Sequence, residues 1–110
     1  MHKRFGLKET TIRKICAVFA RYPQVEKAVL YGSRARGNHK SGSDIDLTLL
    51  GKKITQEILY KVIQDVDNLL LPYTIDLSIY DDIRDADVRE HIERVGVMFY
   101  VRMGEPVEVK

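Results

Sequence analysis

Two segments of this chain alternate strictly between apolar and polar residues, and together they require a sheet with one buried face. In residues 44–50, "DIDLTLL", Ile45, Leu47 and Leu49 fall on one side and Asp44, Asp46 and Thr48 on the other. In residues 73–80, "YTIDLSIY", Ile75, Leu77 and Ile79 oppose Thr74, Asp76, Ser78 and Tyr80. A side-chain period of two is that of a strand, so both segments predict strands. Each also sets aspartate on the face that does not enter the core.

The rest of the chain supplies partners for that sheet. "ETTIRKICAVFARYP" repeats Ile12, Ile15, Cys16 and Phe19 at helical spacing, with Thr10 or Thr11 as N-cap and Pro23 closing the segment. "VEKAVLY", residues 25–31, is short and β-rich and ends at Gly32, which predicts a buried strand. Ile58, Leu59, Val62, Val66, Leu69 and Leu70 mark one face of a long helix over 55–71 that Pro72 stops. "DIRDADVREHIERVG" spaces Val88, Ile92 and Val95 as a helix ending on Gly96, and "VMFYV" adds a short edge strand. The expected order is α-β-β-α-β-α: an α+β (mixed α/β) fold with a small mixed sheet flanked by helices. One domain over 1–102 with a tail over 103–110 accommodates this, since a chain of 110 residues buries roughly 60% of its unfolded surface around one core.

Charge and cysteine usage narrow the function classes. Eighteen Lys and Arg against 16 Asp and Glu leave a net charge of +2, too weak a field to announce direct binding to nucleic acid. A lone cysteine, Cys16, excludes an internal disulfide framework and fits a reducing compartment. The start "MHKRFGLKETT" lacks the apolar stretch of a signal peptide, and no membrane span is legible, so a cytoplasmic protein is expected.

The chemistry is concentrated in "LYGSRARGNHKSGSDIDLTLL", residues 30–50. On a strand, residues i and i+2 share a face with Cα atoms about 6.5–7 Å apart, so Asp44 and Asp46 project together. Two carboxylates that close repel unless a cation lies between them, and hard oxygen ligands suit Mg²⁺ or Mn²⁺. Asp76 joins them if its strand lies alongside. Three such carboxylates can hold two ions about 3.5–4 Å apart, the arrangement that clamps attacking and leaving oxygens in phosphoryl or nucleotidyl transfer. Gly32 lets backbone approach a phosphate, and "SRARG" forms a short helical turn whose N–H groups and Ser33 hydroxyl receive anionic oxygens. Arg34 and Arg36 are candidate phosphate ligands. Ser43 caps or orients the entry to the aspartate strand, and the loop 38–42 forms one side of the site.

Gly32-Ser33, then Asp44-x-Asp46, then Asp76 on a further strand resembles the nucleotidyltransferase superfamily with the DNA polymerase β fold. "GSRARG…SDIDL" is similar, more narrowly, to the minimal nucleotidyltransferases, the MNT proteins, over roughly residues 8–101. The resemblance implies attack of a hydroxyl on the α-phosphate of a nucleoside triphosphate, with transfer of NMP, here AMP from ATP, and release of pyrophosphate. It implies Asp44, Asp46 and Asp76 as catalytic and as ligands of two Mg²⁺ ions, with Gly32 and Ser33 holding the triphosphate. It also implies a partner, a small helical HEPN protein in a hetero-oligomer, whose tyrosine is adenylylated by the MNT member acting as antitoxin.

Two rival readings stand beside this one. A contact-only antitoxin would neutralise its partner without catalysis, and a small-molecule enzyme would modify an aminoglycoside-like acceptor. A homodimer through the first-helix stripe or the "VMFYV" edge is a further option. Asp44 and Asp46 as plain solvent-facing residues would leave Gly32-Ser33 and Asp76 unexplained. His2, His39 and His91 lack metal-ligand spacing and read as solvated residues. Cys16 reads as a small buried hydrophobe, the tyrosines as packing residues, and Gly37 and Gly42 as turn glycines.

Overall fold

The structure, a computed structural model, describes residues 3–37 and 44–102. Strands β3 (Lys27–Tyr31), β4 (Ile45–Leu50), β5 (Ile75–Ile79) and β6 (Val97–Val101) form one mixed sheet in the order β5-β4-β3-β6. Helices α1 (Glu9–Ala20) and α3 (Gln56–Asp67) accompany it, with a short helix α2 (Ser33–Arg36) after β3 and a helix α4 (Ala86–Val95) before β6. β4 and β5 run parallel, joined through α3, whereas β3 is antiparallel to both β4 and β6. The expected α+β architecture is present, and "VMFYV" is the expected edge strand.

The apolar faces meet as the alternation requires. Ile45, Leu47, Leu49, Leu77 and Ile79 pack with Ala28 and Leu30 of β3 and with Ile12, Ile15, Val18 and Phe19 of α1 in one buried cluster. Leu59, Val62 and Val66 complete it from α3. Because the α1 stripe is consumed in this core, it is not available as the dimer contact that the sequence suggested. Cys16 packs against the cluster, its Sγ donating to the Phe99 carbonyl at 3.6 Å, and burial pushes its thiol up to about 11. It is a packing residue, as expected.

Boundaries differ from the sequence expectation in instructive places. A two-stranded hairpin, β1 (Lys3–Arg4) with β2 (Leu7–Lys8), precedes α1, turning through Phe5 at φ 59° and Gly6 at φ 74°. Strands of two residues carry no readable alternation. β2 runs directly into α1, so the helix begins at Glu9, with neither Thr10 nor Thr11 as its N-cap and no side-chain cap on Lys8. Val25 is buried but lies ahead of β3, its N–H donating to the Tyr22 carbonyl. α3 stops at Asp67, short of Leu71: Leu70 adopts the left-handed φ of 55°, and Pro72 biases Leu71 away from helix. Gly96 ends α4 in an extended conformation, and its lack of a side chain is needed because Val29 Cγ1 lies 2.7 Å from where a Cβ would sit. His2, His39, Gly42, Ser43 and the tail over 103–110 lie outside the described residues.

The helix starts that do carry caps make a prediction. The Thr55 hydroxyl accepts from the Ile58 N–H at 3.2 Å, and the Asp85 carboxylate accepts from the Asp87 N–H at 2.8 Å. Thr55→Ala and Asp85→Ala should each cost about 1 kcal/mol, a fall in Tm of roughly 4–8 °C by thermal melting. An unchanged Tm would show that these caps are compensated.

Candidate active site

The parallel register of β4 and β5 sets Asp46 beside Asp76 and Thr48 beside Ser78. Asp44 precedes β4 by one residue and shares the Asp46 face by alternation. Asp44 and Asp76 are exposed and Asp46 is half-buried, so the pair is open to solvent at one end and walled at the other. The Ser78 hydroxyl donates to Thr48 Oγ1 at 3.0 Å, and Thr48 is fully buried. A small polar pair therefore underlies the carboxylates.

β3 supplies the other wall. Tyr31 pairs with Asp46 in the antiparallel register, and Gly32 follows at φ 80°, a left-handed value open to glycine. A Cβ on Gly32 would lie 2.5 Å from Asp46 Oδ2. The glycine is thus what allows the Asp46 carboxylate to sit against the turn. Ser33 opens α2 at this point, and the Gly32 carbonyl accepts the Arg36 N–H at 3.2 Å.

Electrostatics follow from this crowding. Burial raises the pKa of Asp46 above the ordinary carboxylate value, the negative fields of Asp76 and then Asp44 raise it further, and His91 opposes them. Burial also raises Tyr31, reinforced by Asp46 and Asp76 and opposed by its hydrogen bond with Ser78. Because Asp46 binds its proton more tightly folded than unfolded, its ionised form works against the fold. That penalty is absent below the unfolded carboxylate pKa of about 4 and grows as pH rises through the raised folded value. Asp46→Asn should therefore raise Tm at pH 7 in EDTA by about 2 °C, a modest figure because the group is only half-buried and solvent screens its field, and the gain should vanish near pH 3. A lower Tm at pH 7 would contradict this reading of the field.

The arginines separate. Arg34 is 3% exposed, its Nη1 donates to the Phe5 carbonyl at 2.7 Å, and its guanidinium lies 5.2 Å from the centre of the Tyr73 ring. An inward guanidinium held this way differs from the open phosphate ligand expected from sequence. Arg36 is exposed at the last position of α2.

His91 departs from its expected solvated role. α4 lies over β3 on the aspartate face, and the His91 ring stands edge-on to Tyr31 at 6.4 Å between centroids and 80° between planes. Tyr31 was legible in part, because it alternates with Leu30 and abuts Gly32. His91 was not, because its neighbour Ile92 belongs to the apolar stripe and only the docking of α4 turns the imidazole toward the site. A cleft of about 670 Å³ lies between α4 and the other end of β3, lined by Lys27, Val29, Leu50, Tyr80 and Ile92 among others, and includes none of the three aspartates.

A divalent cation fits the donor chemistry of Asp44, Asp46 and Asp76: hard oxygens, and a central carboxylate raised by its two neighbours, a field that positive charge would relieve. Among the described residues, no group of three or more His, Cys, Asp or Glu converges closely enough to form a ready-made cage. The register aligns the carboxylates on one face, and side-chain rotation would have to complete a binding set.

Comparison with known proteins bears on what such a face does. The profile of the family described as "Polymerase beta, Nucleotidyltransferase" matches residues 13–105. The chain belongs to the polymerase beta nucleotidyltransferase family. Its match takes in Gly32, Ser33 and all three aspartates, and the chain is accordingly a nucleotidyltransferase. No curated protein matches it in sequence. Among solved structures, a toxin-antitoxin with AMP-PNP aligns at TM-score 0.65 and 19% identity, over 88% of this chain and 76% of the other. The toxin-antitoxin MntA-HepT aligns at 0.64 and 16%, over 86% and 73%. An MNT antitoxin structure with tri-AMPylated Shewanella oneidensis HEPN toxin aligns at 0.62 and 16%, over 84% and 71%. At these identities the likeness is one of fold.

Proposed function

We propose that this nucleotidyltransferase transfers AMP from ATP to a hydroxyl acceptor, a tyrosine of a HEPN-type toxin, and so acts as the antitoxin of a two-protein module. The observation that carries the reaction is the register pairing Asp46 with Asp76 beside the Gly32 turn. The partner and the nucleotide are supported by the toxin-antitoxin neighbours, one with AMP-PNP and one with an AMPylated HEPN toxin.

In this reading Gly32 and Ser33 receive the triphosphate, with the glycine turn holding its α-phosphate end next to Asp46. Asp44 and Asp46 are the principal oxygen ligands for Mg²⁺, with Mn²⁺ as an alternative, and Asp76 is shared with the acceptor side. Bound there, such ions would supply charge to the phosphoryl oxygens and would lower the pKa of the acceptor hydroxyl. Asp76, on the outer strand of the sheet, orients that hydroxyl and draws on its proton. The acceptor oxygen bonds to the α-phosphorus as the bond to the leaving pyrophosphate breaks. Asp76 lies at the β5 edge of the sheet, with no strand beyond it among the described residues, which leaves room for an acceptor presented by another protein.

Co-expression with a HEPN partner tests the proposal. Intact-mass analysis of the partner should show increments of one AMP per modified site, mapped by peptide sequencing to tyrosine. A partner neutralised yet unmodified would favour contact-only inhibition, and a modified small molecule with no modified protein would favour the aminoglycoside-type reading.

A further inference from the structure

We propose that Arg34 is a positioning residue through which the N-terminal hairpin sets the nucleotide-binding turn, rather than a ligand of phosphate. The inference rests on the reading of Gly32 and Ser33 as the triphosphate site and adds to it the element that holds them. Arg34 follows Ser33 directly in α2, and among the described residues its guanidinium reaches two other parts of the chain. One is the Phe5 carbonyl at the turn of the hairpin, 2.7 Å away, and the other is the face of Tyr73, just ahead of the strand that carries Asp76. Tyr73 is itself packed against the core, and the adjacent Thr74 carbonyl accepts the Ile45 N–H at 2.9 Å. One buried cation thus spans the hairpin, α2 and the entry to both aspartate strands.

The hairpin is built to be a fixed anchor. Leu7 is fully buried, the Phe5 ring lies 6.0 Å from Phe99, and the Arg4 guanidinium grips Glu9 through two bonds of 2.7 and 3.1 Å. Residues 3–8 also precede the segment matched by the family profile, which begins at residue 13. The brace therefore joins a hairpin ahead of the matched segment to the phosphate turn within it. A guanidinium 3% exposed, donating to a neutral carbonyl, has to stay paired, since an unpaired buried charge is costly. That requirement locks the direction of α2 and with it the aim of the Ser33 hydroxyl.

The test is a double-mutant cycle read by titration of ATP with Mg²⁺ into the full chain, on protein shown by circular dichroism to be folded. Arg34→Met removes the guanidinium, and Gly6→Val strains the exposed hairpin turn at φ 74° without touching Arg34. Each should weaken ATP binding by about tenfold, and the double mutant should be no weaker than the worse single, because the two act through one contact. Arg34→Lys should restore part of the affinity. Val66→Ala, a buried position on α3, serves as a control that lowers Tm while leaving affinity in place. Additive losses, or an effect of Arg34→Met with none from Gly6→Val, would overturn the proposal, the second outcome pointing to direct phosphate contact. Failure of the wild type to bind ATP would instead bring down the underlying site reading and this inference with it.

Discussion

Asp46→Asn should reduce AMP transfer by about a thousandfold or more, while the protein remains folded and at least as stable as the wild type in EDTA. The two effects have one origin. Asp46 is paired with Asp76 across β4 and β5 and shares its face with Asp44, so its charge is held where burial and two like charges disfavour it. A side chain kept ionised against its surroundings is stabilised when a cation arrives. Asparagine keeps the shape and removes both the penalty and the charge. The measurement is transfer rate together with Tm, with and without Mg²⁺. Added Mg²⁺ should raise the Tm of the wild type more than that of the variant, because a ligand stabilises the state that binds it. Loss of fold in the variant would show that Asp46 serves packing instead.

Gly32→Ala should lower transfer by about a hundredfold. Two separate costs meet at this residue. Its φ of 80° is unfavourable for alanine by about 1–2 kcal/mol, and the new Cβ would sit 2.5 Å from Asp46 Oδ2. Gly37 shares the positive φ, 81°, but its ψ of 3° lies in the left-handed helical region, against −157° at Gly32, and nothing lies within 4 Å of its Cβ position. Gly37→Ala should therefore show a smaller fall in Tm and far less loss of activity. Equal losses of activity in the two variants would mean that backbone strain, and not displacement of Asp46, governs the site.

The legibility of the fold follows from where side chains alternate. Residues 45–50 and 75–79 announced their strands because each presents one buried and one open face, and the same period placed Asp44, Asp46 and Asp76 together once the strands were adjacent. The parallel register that sets Asp46 against Asp76 is a tertiary fact, fixed by the connection through α3. Gly32 was legible as a phosphate-approach glycine, whereas its contact with Asp46 depends on the antiparallel pairing of β3 with β4. The hairpin of residues 3–8 escaped notice because two-residue strands have no period. Arg34 reads as a candidate phosphate ligand because a sequence does not reveal that a hairpin carbonyl and an aromatic face lie within its reach. His91 reads as solvated in the sequence because it sits on a helix among charges, and only the docking of α4 sets it edge-on to Tyr31.

Nucleotidyl transfer from the aspartate face to a protein hydroxyl can be followed by label. The most direct measurement is transfer of label from α-³²P-ATP, with GTP, CTP and UTP in parallel, to a co-purified HEPN-type partner in Mg²⁺, comparing the wild type with Asp46→Asn. A labelled partner band is expected, strongest with ATP, abolished by EDTA and absent from the variant. A partner held in a stable complex but unlabelled with all four nucleotides, or labelled equally by Asp46→Asn, would contradict it.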